Sequence, residues 1–213
     1  RDRAFLLWHD ALPDHAELAE FKHQLSQRRA LSPATLDLLG MAAARKTAPM
    51  DALRMAAGTL DLDGSESAQE QAVDVVARFP TIVAAYARLR AGEEAIAPDP
   101  ALDQAANYLY MLHGSQPSAV QARAMETYLN TVVDHGLNAS TFVARTITST
   151  GSDLVSAIVG AIGALKGPLH GGAPGPALDM VFEIGRSENA RAYLRAKLER
   201  GERLMGFGHR VYK

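Results

Sequence analysis

Apolar residues recur at three- and four-residue spacing along most of the chain, and proline, serine, aspartate and glycine punctuate the runs. Asp14 stands in a capping position ahead of Leu18, Phe21, Lys22 and Leu25, which share one helical face. Ser32-Pro33 supplies a cap and a first-turn proline before Leu36, Leu38 and Leu39. Pro49 opens a further segment that Gly58 ends, and Asp61 to Ser67 is polar and reads as loop. A helix follows to Arg78, and Pro80 starts or kinks another that runs to about Leu89. Residues 90–100 read as loop, and a helix from about Ala101 to His113 follows.

Pro117 opens a helix with Val120, Ala124, Tyr128, Leu129, Val132 and Val133 on its apolar side. Ser140 to Ser149 reads as a short helix. Ser152 is then placed to cap the run Leu154 to Leu165, which is apolar on nearly every side and is expected to be a buried central helix. Its small residues, Gly160, Ala161, Gly163 and Ala164, allow close helix contacts. Pro174 or Pro176 starts a helix through Ile184, and Ser187 starts a last one that stops at Gly201. No alternating strand pattern and no internal repeat emerges, so the expected fold class is all-α.

Composition narrows the functional classes. The chain has 213 residues and is 47% hydrophobic, enough for a sizeable core in one or two domains. A net charge of −2 offers no electrostatic case for nucleic acid or a membrane surface. No apolar run reaches membrane-spanning length. Cysteine is absent, which excludes disulfides and thiolate metal sites and fits a reducing compartment. Arg1-Asp2-Arg3 leads into an apolar run too short for a secretory leader, so a cytoplasmic location is expected. Arg1 to His9 reads as a helix already under way, as in an interior portion of a longer polypeptide.

Candidate chemistry concentrates in glycine-rich turns. His170 lies in Leu165-Lys166-Gly167-Pro168-Leu169-His170-Gly171-Gly172-Ala173, and His209 in Met205-Gly206-Phe207-Gly208-His209-Arg210-Val211-Tyr212-Lys213. Glycine lets a ligand approach the main chain, and a histidine in such a turn is aimed outward rather than packed. Two aimed histidines can donate to two different oxygens, as the joining of two carbonyl compounds requires. A metal site on His135, His170 and His209 is disfavoured, because no helical ligand spacing and no accompanying carboxylate is present. Gly206-Phe207-Gly208 follows no strand and is not a dinucleotide fingerprint.

Both segments resemble the citrate synthase family. A third, Asp134-His135-Gly136-Leu137-Asn138-Ala139-Ser140-Thr141-Phe142, fits that family's DHxxNAST pattern. Weaker matches lie upstream in Ala48 to Arg54, Phe79 to Ile82 and Asn107 to Leu112. The matches keep family order over nearly the whole chain. The resemblance implies a large helical domain, 1–170, and the start of a small domain, 171–213, each incomplete at its outer end.

It also implies condensation of acetyl-CoA with oxaloacetate to give citrate and CoA. In that reaction His170 would donate to the thioester oxygen as the enolate forms, and His209 to the oxaloacetate carbonyl. His135 would bind oxaloacetate, with Asn138 and Arg210 as further substrate contacts. Leu204, Met205, Gly206, Phe207 and Gly208 would line the CoA site. No cofactor and no metal is implied, and a homodimer is, with Ser152 to Leu165 as a candidate interface element.

The same resemblance admits 2-methylcitrate synthase, using propionyl-CoA, and a non-catalytic ligand-binding or regulatory relative. Two positions depart from the family pattern: the first motif continues Ala173-Pro174-Gly175 where Ala-Asn-Glu is common, and Gly136 stands where a carboxylate often follows the histidine. The family's aspartate base and substrate arginines fall after GFGHRVYK. The 213-residue segment alone is therefore expected to be inactive.

Overall fold

The computed structural model describes residues 2–62, 67–134, 136–168, 170–171 and 174–207. Among them every regular element is an α-helix. They are α1 (Asp2–His9), α2 (His15–Gln27), α3 (Pro33–Ala44), α4 (Pro49–Ala57), α5 (Ala68–Ala91), α6 (Gln104–His113), α7 (Ala119–Thr131), α8 (Ala139–Thr148), α9 (Leu154–Leu165), α10 (Pro174–Ile184) and α11 (Ser187–Glu199). The all-α expectation holds. None of these helices is long and apolar enough to cross a membrane. The chain divides into two compact units, Arg1–Ile162 and Gly163–Lys213.

In the first unit, short polar side chains set the helix starts. Asp14 accepts from the Ala16 and Glu17 N–H groups at 2.8 Å, and Glu17 accepts from the Asp14 N–H. Ser67 with Glu70 and Ser118 with Gln121 cap α5 and α7 by the same reciprocal bonds, and the Ser32 hydroxyl caps α3 by accepting from the Thr35 N–H. The core is built where α3, α4 and α5 meet, from Leu39, Ala42, Ala52, Ala56, Ile82, Ala85 and Tyr86. Its alanines let the three helices approach closely, and Leu39 and Ile82 fill the space between them. A smaller cluster joins Phe21, Leu25, Val73 and Ala77, with Trp8 and Phe5 edge-on to Phe21. Beside it, the Asp74 carboxylate is buried between Arg28 at 3.0 Å and Arg78 at 3.1 Å, which ties α2 to α5.

Several boundaries differ from the pattern reading. Pro80 neither starts nor ends a helix: α5 runs through it. Proline has no N–H for the Val76 carbonyl, and Gln104 Nε2 donates to that oxygen at 3.1 Å instead. Gln104 Oε1 accepts from Arg29 Nε at 2.9 Å, and Arg29 Nη1 donates to the carbonyls of Asp99 and Leu102. That buried guanidinium holds residues 99–102 as loop, so α6 begins at Gln104 rather than near Ala101. α8 begins one residue before Ser140, because Asn138 is the cap. Asp153, not Ser152, caps α9: its carboxylate accepts from the Ser156 N–H and hydroxyl, each at 2.7 Å. The Ser156 hydroxyl, then its N–H, hold Asp153 below the usual carboxylate range.

The apolar helix α9 is not buried as expected. Ala157 and Ile162 are buried, but most of its residues are half-exposed and Leu165 is 38% exposed. Leu154, Val155 and Ile158 pack on the main core. The small residues do permit close contact: a β-carbon at Gly160 would lie 2.3 Å from Ile147 Cδ1 of α8. The apolar side of α7 is likewise open. Ala122, Leu129, Val132 and Val133 line a groove of about 620 Å³ with Val76, Phe79 and Ala106.

The Gln104 bridge yields a prediction. Gln104→Leu removes the donor to Val76 O and the acceptor for Arg29 Nε, and should destabilise by about 1–3 kcal/mol. Urea unfolding checks it; an unchanged midpoint would show that α5 passes Pro80 without support from α6.

Candidate active site

The His170 turn is built from backbone contacts in the second unit. After α9 ends at Leu165, the Gly167 N–H donates to Ala164 O at 3.1 Å and the His170 N–H to Gly167 O at 2.9 Å. The Gly171 N–H then returns to Leu165 O at 3.0 Å. A β-carbon at residue 171 would sit 2.2 Å from that oxygen and 2.9 Å from Leu165 Cδ1. Only glycine fits. His170 is therefore held half-buried, four residues before α10 begins at Pro174.

The second glycine motif reaches the same end of α10. Phe207 N–H closes a four-residue turn onto Leu204 O at 3.4 Å, with Gly206 third at φ +85°. That conformation calls for glycine. A β-carbon at Gly206 would stand 3.3 Å from Ala177 Cβ, in the first turn of α10. The turn thus rests on the helix that His170 precedes. Leu204 and Met205 are half-buried, while Phe207 is 68% exposed.

α10 and α11 form a pair bound by an ionic cluster. Tyr193 donates to Glu183, and Lys197 Nζ stands 3.8 Å from Glu183 and 3.9 Å from Glu202. Arg200 Nε donates to Glu202 Oε1 at 2.5 Å, and that bond holds Glu202 below the usual carboxylate range. Pattern reading assigned none of these residues a role. The one signal available was Tyr193 and Lys197 at i, i+4 on α11.

The third motif lies in the first unit. Asn138 Oδ1 accepts from the Thr141 N–H at 3.0 Å and the Ser140 hydroxyl at 2.6 Å, and so caps α8. Asp134 Oδ1 accepts from the Gly136 N–H at 3.1 Å. Gly136 has φ +72°, so a carboxylate-bearing side chain there would be strained in this turn. His135 itself, with Gly208, His209 and Arg210, lies outside the described residues. Of the named site residues, the structure therefore brings His170 and Leu204–Phe207 to one helix end and gives Asn138 a capping role.

Comparison with known proteins agrees with these motifs. The family model for the citrate synthase C-terminal domain matches residues 1–213. Citrate synthase 2 of Bacillus subtilis is 44% identical over 98% of this chain and 58% of its own length. The 2-methylcitrate synthase of Mycobacterium tuberculosis is 45% identical over 99% of this chain and 54% of its own. 

Among solved structures, a ternary complex of carboxymethyl coenzyme A and oxaloacetate with the citrate synthase of Thermoplasma acidophilum superposes with a TM-score of 0.85 at 27% identity, over 99% of this chain and 57% of that one. The chain spans a little over half the length of the relatives it matches.

The return of residue 171 to Leu165 can be tested directly. Gly171→Ala forces the backbone apart and should destabilise the protein by about 1–3 kcal/mol. Thermal unfolding of the full-length protein reads it, and an unaltered transition would show that the turn is not closed as described.

Proposed function

The chain belongs to the citrate synthase family, and we propose that the protein containing it condenses acetyl-CoA with oxaloacetate, releasing citrate and CoA. The observation that carries this reading is the convergence of two glycine motifs on one end of α10, through the His170 turn and the contact of Gly206 with Ala177.

The chemistry follows from what the substrates need. The methyl group of an acyl thioester is a weak carbon acid, so its deprotonation requires a donor where the enolate oxygen gathers charge. His170 takes that part, and the aspartate base that the family resemblance implies accepts the methyl proton. The enol carbon attacks the ketone carbon of oxaloacetate, whose oxygen becomes an alkoxide and takes a hydrogen bond from His209. His135 binds oxaloacetate, with Asn138 and Arg210 at the same substrate. Water then cleaves the new thioester and frees CoA. The Leu204–Gly208 segment meets the CoA portion, and the exposed Phe207 and the open backbone at Gly206 suit such a contact.

No cofactor is assigned in this reading, and the protein acts as a cytoplasmic homodimer. The half-exposed apolar residues of α9, with exposed Phe142 on α8, support a surface between two copies. A second reading, propionyl-CoA as the acyl donor, is supported by the 45% identity to the mycobacterial 2-methylcitrate synthase. Turnover of the full-length enzyme with each acyl-CoA separates the two, and absence of turnover with both would favour a non-catalytic relative.

His170→Ala in the full-length enzyme should lower kcat about a hundredfold or more and leave oxaloacetate affinity unchanged. Near-normal turnover in that variant would remove His170 from the mechanism. His209→Ala and His135→Ala should each weaken oxaloacetate binding in calorimetry, and His209→Ala should also lower kcat. Oxaloacetate affinity equal to wild type in both variants would overturn their assignment.

A further inference from the structure

The Leu204–Phe207 turn is held from two sides within the second unit. On one side is the seat at Ala177, where Gly206 comes close enough that a β-carbon would be 3.3 Å from the alanine methyl. On the other is a tether. Glu202, two residues before the turn, lies on the segment leaving α11, and its carboxylate meets Lys197 Nζ at 3.9 Å. The same ammonium stands 3.8 Å from Glu183 on α10 and 5.1 Å from the centre of the Tyr193 ring. Arg200 also pairs with Glu202, but it is a local neighbour. Lys197 is the group that links the segment through Glu183 to α10. The Glu202 N–H further donates to Lys197 O at 2.9 Å, so backbone and side chain of one residue both fix the start of the segment.

We propose that Lys197 and Ala177 are positioning residues for the Leu204–Phe207 turn, and that through it they set affinity for the acyl-CoA substrate. The proposal rests on the reading of that turn as an acyl-CoA contact. A single surface ion pair is weak, but one ammonium shared by two carboxylates and an aromatic face is a network with fixed geometry. Its Lys197 member is 22% exposed, less than either carboxylate. Ala177 acts by size: its methyl lies close beside Gly206, so a bulkier side chain there presses on the turn.

The test uses the full-length enzyme and four forms: wild type, Lys197→Met, Lys197→Arg and Ala177→Leu. Hydrogen exchange over residues 202–207 and the KM values for acyl-CoA and oxaloacetate are measured for each. Lys197→Met should speed exchange over 202–207 and raise the acyl-CoA KM about two- to fivefold, with kcat and the oxaloacetate KM unchanged. Lys197→Arg should restore most of both effects. Ala177→Leu should raise the acyl-CoA KM more than Lys197→Met does. In 1 M salt the wild-type acyl-CoA KM should move toward that of Lys197→Met. Wild-type exchange over 202–207 in Lys197→Met and Ala177→Leu would refute the positioning role. Faster exchange with an unchanged acyl-CoA KM in both would instead overturn the acyl-CoA reading of the turn. Equal rises in both KM values would show general loosening of the unit and refute the proposal as well.

Discussion

The N–H of Gly171 reaches the carbonyl of Leu165 at 3.0 Å, and residue 171 passes where no β-carbon fits. That contact closes the chain back on the end of α9 and sets where His170 stands. Three residues further along the chain, α10 begins at Pro174. The seat for Gly206 at Ala177 is one turn further along the same helix. A displacement at Leu165 would therefore reach His170, because backbone rather than adaptable side chains makes the closure.

The first unit serves a different end. Its packing depends on alanines that let α3, α4 and α5 come together, with Leu39, Ile82 and Tyr86 filling the space between them. Two buried charged residues there link elements: Asp74 joins the end of α2 to α5 through Arg28, and Arg29, just after α2, holds the segment before α6. Buried groups of this kind specify one arrangement more than they add stability, since an unpaired one is costly.

Much of this was readable from residue order. Caps at Asp14 and Ser32, the proline at residue 49 and the glycine at 58 mark helix ends by local chemistry, and local chemistry survives folding. The glycine at residue 171 marked a close passage of the backbone, because a β-carbon there would meet Leu165 O. What could not be read depends on neighbours distant in the chain. Pro80 looked like a boundary because its missing N–H is local, while the donor that replaces it comes from residue 104. The loop at residues 99–102 is set by Arg29, some 70 positions earlier. α9 looked buried because apolarity states a preference for burial without naming what covers it. Ser152 and Asp153 compete for the same cap, and the carboxylate that meets Ser156 wins it.

Gln104 faces a carbonyl at one end of its amide and a guanidinium at the other. It must donate to the first and accept from the second, and an amide is the side-chain group that does both with fixed polarity. Glutamate in its ionised form would set an acceptor against an acceptor, and asparagine is a methylene shorter. The need arises from the proline at residue 80. The two positions are thus a coupled choice: a related chain with an ordinary residue at 80 has its own N–H for that carbonyl and is released from glutamine at 104. Paired variation between these positions is the trace that this bond would leave among relatives.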